Sequence, residues 1–198
     1  MNKVVKRILR YLYYFPSTFC NKINYFFKKV TVGKGHETKG LLCIKNNGKI
    51  HIGNNVRINS SGKANPIGFG DKTYFQVFKN GEIIIADNVR MSNCAITSQT
   101  AVKIGEYARI GAGVKIYDTD FHSIDPYLRT SVPEGKPVSK PVEIGEYAFI
   151  GAGSIILKGV SIGKYSVIGA GSVVTKNVPD GEIWGGNPAK RIGIINSD

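Results

Sequence analysis

Long apolar runs are missing from this sequence: no stretch is long enough to span a bilayer, and no small-residue cleavage site follows a signal-like core. A secreted or membrane-spanning chain is therefore not expected. Cysteine is scarce, with Cys20, Cys43 and Cys94 forming no C-x-x-C pair. That excludes a disulfide scaffold and fits a reducing, cytoplasmic compartment. Acidic residues are outnumbered 14 to 27 by Lys and Arg, giving a net charge of +13 that favours an anionic partner: nucleic acid, a membrane surface, an acidic glycan or a phosphorylated cofactor. The basic residues are dispersed and no nucleic-acid motif organises them, so nucleic acid is not the expected choice.

The 198 residues, 42% of them hydrophobic, suffice for one main domain with appendages. Glycine is plentiful at 24 residues, without collagen's period and alongside many Ile and Val, which predicts short strands joined by tight corners. Residues 1–30 differ from the rest. Lys3, Lys6, Arg7, Arg10, Lys22, Lys28 and Lys29 stand there with no acid, interleaved with aromatic residues such as Tyr11, Tyr13, Phe19 and Phe26. This predicts a basic, aromatic-rich helical segment that either lies in a membrane interface, at the inner face of the membrane, or packs against a neighbouring subunit.

From Val142 the chain repeats every six residues: V-E-I-G-E-Y, A-F-I-G-A-G, S-I-I-L-K-G, V-S-I-G-K-Y, S-V-I-G-A-G, S-V-V-T-K-N. Ile144, Ile150, Ile156, Ile162, Ile168 and Val174 mark the period, each preceded at two places by a small or β-branched residue. The phrase returns at Ile104, Ile110 and Ile116, with weaker copies from Ile50 to Ile58 and Ile83 to Met91. A period of six fits neither a helix nor a two-sided strand. It fits a triangular coil of three hexapeptides per turn, which stacks Ile144 under Ile162, Ile150 under Ile168 and Ile156 under Val174. The glycines that follow, Gly105, Gly111, Gly145, Gly151, Gly163 and Gly169, are expected to relax the corner dihedrals. The predicted organisation is the helical segment 1–30, a solenoid over 31–178 with a protruding loop at 117–141, and a C-terminal extension over 179–198.

This pattern, with I-G at the corner, resembles the hexapeptide-repeat transferases over roughly residues 48–178. The resemblance implies an all-β fold, a left-handed parallel β-helix. Handedness comes from the family alone, since parallel crossovers generally prefer the right hand.

Where the repeat stops, the insertion begins Y-D-T-D-F-H-S-I-D. His122 lies among Asp118, Asp120 and Asp125, and an imidazole titrating near neutrality beside a carboxylate suits proton removal from an attacking group. D-T-D-F-H-S-I-D also resembles the loop motif of the family's polysaccharide and sugar acetyltransferases, which implies that His122 is the catalytic base. Asp120 is the first choice to orient it and Asp118 the second. Relatives acting on maltose and galactosides place an asparagine in the preceding coil where this chain has V-K-I. Asn93 is a substitute there, weighed against a purely structural turn role, and Arg129 and Asp118 are the other residues assigned to the acceptor.

The C-terminal P-D-G-E-I-W-G-G-N-P-A-K-R-I-G resembles the signature of coenzyme A dependent members. It implies acetyl-CoA as cosubstrate, with Lys190, Arg191 and Lys176 supplying cations, Thr175 beside them, and Ala152 and Ala170 stacked on one edge along which the pantetheine arm approaches the backbone. The Ala152 N–H would hold the thioester oxygen as charge develops. Direct transfer in a ternary complex, without a cysteine nucleophile or a metal, is implied. A zinc carbonic anhydrase of the same solenoid needs three converging histidines, and His36, His51 and His122 are too dispersed in the sequence to supply them. The reading is an O-acetyltransferase acting on a saccharide hydroxyl of a surface-glycan precursor, assembled as a homotrimer. N-acetylation of an amino sugar and a noncatalytic scaffold or glycan-binding module are the alternatives.

Overall fold

Side chains that recur every six residues can all be buried only if the chain turns a corner once per hexapeptide. The computed structural model describes residues 2–68, 70 and 72–195, while the side chains of Lys3, Lys6, Arg7, Ile8, Arg10 and Tyr11 lie outside the described set. Three parallel sheets form the faces of a left-handed β-helix. The first face holds Val30–Val32, Lys49–Ile52, Glu82–Ile85, Ala101–Ile104, Val142–Ile144 and Ser161–Ile162. The second begins at Glu37–Gly40 and runs through Arg57–Ser60, Arg90–Ser92, Arg109–Ile110, Phe149–Ile150 and Val167–Ile168. The third runs from Cys43–Asn46 through Tyr74–Val77, Ala95–Ser98, Lys115–Tyr117 and Ile155–Ile156 to Val173–Val174.

The expected columns are present in register: Ile144 pairs with Ile162, Ile150 with Ile168 and Ile156 with Val174. They extend downward without a slip, through Ile104, Ile85 and Ile52 on the first face and Ile116, Ile96, Phe75 and Ile44 on the third. All of these are at most 3% exposed except half-buried Ile44, so the core is a continuous apolar rod filled one layer per coil. Buried Ser154, Ser166 and Ser172 are each paired, donating to the carbonyls of Gly169, Pro179 and Gly169.

The corner glycines act differently from the expectation. Left-handed φ belongs to Tyr107, Tyr147 and Tyr165, whose rings stack 4.7 and 5.2 Å apart, and to Gly113, Gly153 and Gly171. The glycine directly after the column residue is needed instead for close approach of coil to coil. A Cβ at Gly145 would lie 2.7 Å from the backbone of Gly163 and Lys164, and one at Gly151 would lie 2.5 Å from Ala170 N. Gly145→Ala is therefore expected to cost at least about 2 kcal/mol because backbone must move. Gly171→Ala, at φ +71° with nothing within 4 Å, should cost about 1 kcal/mol from the left-handed conformation alone. Denaturant midpoints of the two variants check the contrast.

Helix α1 (Lys3–Phe27) lies across the first coil. Asn21, 2% exposed, donates to Gly40 O and accepts from Leu42 N, and the Tyr25 hydroxyl meets His36 Nε2 and Thr38 Oγ1, each at 3.0 Å. At the other end Val178 bridges to Ile162, while Glu182–Gly186 stacks on Val167–Ile168 and turns back into antiparallel Ala189–Ile194.

Burial pushes the His36 imidazole down to about 4, so it is neutral in the fold. The unfolded chain takes up that proton near the ordinary value of about 6.5, and so binds more protons within this window. Stability is accordingly full above about pH 6.5 and falls as pH drops toward about 4, by an amount on the order of 2 kcal/mol. Denaturant midpoints across the window check this, and His36→Gln should flatten the dependence.

Candidate functional site

The insertion leaves the third face after Tyr117 and rejoins the first face at Val142. Its neck is pinned. Lys140 N donates to Asp118 O, Asp120 N donates to Val138 O, and Thr119 bridges Ser139. Asp118 is fully buried and its carboxylate accepts four hydrogen bonds, from Ser98 Oγ, Gln99 N, Thr100 N and Thr100 Oγ1 at 2.7–3.0 Å. That carboxylate is spent on anchoring the insertion to the coil below.

Beyond the neck the chain forms a short helix α2 (Pro126–Thr130), capped by Asp125 through Tyr127 N and Leu128 N. Arg129 holds α2 to the preceding loop by donating to Ser123 O at 3.3 Å. Gly135 N donates to Leu128 O and so returns the chain toward its start. This return brings Glu134 Oε1 to 2.9 Å from His122 Nδ1. The His122 side chain is 66% exposed, and with a carboxylate on Nδ1 the neutral ring carries its proton there and leaves the Nε2 lone pair for an outside group.

The carboxylate in hydrogen-bond contact with His122 is thus Glu134, while Asp118 and Asp120 are engaged elsewhere. Asp120 Oδ1 instead meets Lys158 Nζ at 2.6 Å, tying the loop to the coil above. Sequence spacing missed Glu134 because twelve residues separate it from His122. The P-E-G turn was the available signal, since a turn there returns the acid along the loop.

The predicted donor residues occupy a different corner. Gly153 N donates to Ala112 O and Gly171 N to Ala152 O, so the three Gly-Ala-Gly turns stack as a ladder between the second and third faces. The Ala152 N–H has no hydrogen-bond partner among the described residues. Below it a cleft of about 430 Å³ is lined by Lys72, Tyr74, Asn93, Gly113, Lys115 and Gly153. Asn93 is 5% exposed and braces a second excursion, which leaves the coil after Ser60, by accepting from Ser61 N and donating to Asn65 O. Its amide is engaged in structure. Thr175, Lys176 and Lys190 are exposed near the C-terminal end, and Arg191 pairs with Glu182 at 3.2 Å. Among the described residues no group of His, Cys, Asp and Glu is placed to hold a metal ion.

Residues 141–176 match the bacterial transferase hexapeptide model of six repeats. The chain is 54% identical over 98 residues to nodulation protein L of Rhizobium leguminosarum bv. viciae and 46% identical over 98 residues to that of Rhizobium meliloti. Each match covers 50% of this chain and 50% or 51% of the relative, so the chain spans about half the length of the curated relatives it matches. Among solved structures, a point mutant of AntD, an N-acyltransferase from Bacillus cereus in complex with dTDP and coenzyme A, superposes with TM-score 0.68 at 25% identity, covering 84% of both chains. A hexapeptide-repeat acetyltransferase of Vibrio cholerae gives TM-score 0.54 at 24% identity, covering 84% of this chain and 74% of that one. With its columns in register and its stacked Gly-Ala-Gly corners, the chain shares the fold of these hexapeptide-repeat structures, and its residues 141–176 carry the repeats of the bacterial transferase hexapeptide model.

Proposed function

We propose that the chain is an acetyl-CoA dependent O-acetyltransferase acting on a hydroxyl of a saccharide, with His122 as general base. The observation that carries this reading is the exposed imidazole held through Nδ1 by Glu134, with Nε2 open. In the reaction, Nε2 accepts the acceptor's hydroxyl proton as that oxygen attacks the thioester carbonyl. The C–S bond then breaks, and the proton on Nε2 passes to the departing thiolate. Glu134 stabilises the imidazolium between the two transfers. The unpartnered Ala152 N–H is the donor for the carbonyl oxygen as it gains charge. Lys176 and Lys190, with Lys72 and Lys115 lining the cleft below, supply cations for the phosphates of the donor.

His122 leaves the coil between the third and first faces, whereas the Gly-Ala-Gly ladder stands between the second and third. A site that joins them takes the base from one copy and the donor edge from the next, which favours a trimer of side-by-side prisms. Acyl transfer from acetyl-CoA to a panel of saccharides and amino sugars tests the reading, with a coenzyme A titration beside it. Transfer to hydroxyl acceptors is the expected result. A chain that binds no coenzyme A would be a scaffold. N-acylation of an amino sugar is the second reading, favoured by the likeness to AntD, an N-acyltransferase, and transfer confined to the amines would establish it.

A further inference from the structure

Helix α1 is mounted with its apolar side outward. Val5, Leu9, Leu12, Pro16, Phe19, Ile23 and Phe26 follow one another at alternating spacings of four and three, which places them on one stripe of a helix. All are exposed, Leu12 at 60%, Phe19 at 57% and Phe26 at 79%. The residues that fasten the helix to the coil, Asn21 and Tyr25, lie on the opposite side and use polar atoms. An ordinary surface helix is oriented the other way, with its apolar stripe inward. This stripe therefore faces a partner outside the chain, and no described helix is long and apolar enough to cross a bilayer.

Charge selects the partner. Residues 1–30 carry seven Lys and Arg and no acid. Beside the helix runs a groove of about 610 Å³ whose lining includes Tyr13, Leu41, Lys63 and Lys72. Lys63 Nζ lies 5.3 Å from the centre of the Tyr13 ring, and neither lysine has an acidic partner among the described residues. An anionic bilayer offers both an apolar phase for the stripe and the opposite sign for the cations that flank it.

We infer that α1 and the adjoining lysines form a docking surface for a membrane rich in anionic phospholipid, with the stripe at the level of the acyl-chain boundary and Lys28, Lys29 and Lys63 among the headgroups. This goes beyond the acyltransferase reading and does not depend on it.

The test is co-sedimentation of the full chain, without acyl donor or acceptor, with vesicles of phosphatidylcholine alone or mixed with phosphatidylglycerol. The expected result is pelleting with the mixed vesicles and little with phosphatidylcholine, lost at about 1 M salt, where charge is screened. Leu12→Ser/Phe19→Ser/Phe26→Ser should weaken binding by at least about 10-fold. A thermal melt shows whether that variant is folded. Lys28→Glu/Lys29→Glu/Lys63→Glu, which leaves the stripe intact, should also lose the mixed vesicles. Binding that ignores phosphatidylglycerol, or that survives both sets of substitutions, overturns the proposal. So does failure to pellet with either vesicle, and if the serine variant then lowers the mass of the assembly by light scattering, the stripe is a contact between copies.

Discussion

Replacing His122 by alanine is expected to slow acyl transfer by about 10²- to 10⁴-fold, the usual scale for loss of a general base. Its ring is 66% exposed and makes its one described polar contact with Glu134, so the variant should keep the wild-type melting temperature and its affinity for coenzyme A. Glu134→Gln should lower kcat by about 10-fold, because an amide at Nδ1 no longer stabilises the imidazolium. The two substitutions act on one proton transfer, so the double variant should be no slower than His122→Ala alone. Asp120→Asn supplies the contrast: it loosens the tie to Lys158 and leaves the imidazole's partner in place. Steady-state rates for the four variants decide the matter. A His122→Ala enzyme as fast as the wild type would remove the mechanism, and a Glu134→Gln enzyme with unchanged kcat would remove Glu134 from it.

The second large effect concerns the rod of aliphatic side chains. Ile150 is fully buried, with Ile110 in the coil below and Ile168 in the coil above. Ile150→Ala leaves a void walled by backbone that neighbouring coils hold at fixed spacing, so little collapse is available to fill it. The expected loss is about 2–5 kcal/mol, toward the upper part of the range for such truncations. Ile192, 69% exposed on the C-terminal hairpin, should tolerate alanine within about 0.5 kcal/mol. Urea midpoints measured side by side test both figures, with the slope of the transition expected to be unchanged.

The columns were readable from the sequence because a strict six-residue period admits one arrangement that buries every repeat. Ile144 over Ile104 was less accessible, since the insertion of residues 118–141 interrupts the spacing and only the return of phase at Val142 betrays the continuity. A second excursion leaves the coil after Ser60, and the strands resume at Tyr74, in a polar, glycine-bearing stretch that weak early copies of the repeat did not delimit. The role of the I-G glycine needed coordinates too, because a close approach between coils is a distance and leaves no mark in residue order.

At the proposed site, chemistry and motif single out His122, and the structure shows its ring exposed. The carboxylate partner of His122 was not legible in the sequence. Asp120, two residues away, is nearer along the chain, yet Lys158 claims it from a later coil, and the α2 turn brings Glu134 across instead. Asn93 shows the same limit, since its amide is taken by Ser61 and Asn65 of an excursion whose path the sequence did not outline.

The two ends of the solenoid bear on how copies can meet. A stack of parallel strands carries unpaired backbone groups on its first and last rungs, and identical rods could in principle extend one another through them into a filament. Here α1 is bonded across the opening rung, while Val178 and the terminal hairpin continue two of the three faces and then reverse direction. Such stoppers withhold the matching register that axial growth requires. Any contact between copies would then fall on the flanks of the rod, where a closed ring has a natural limit and a fibre does not.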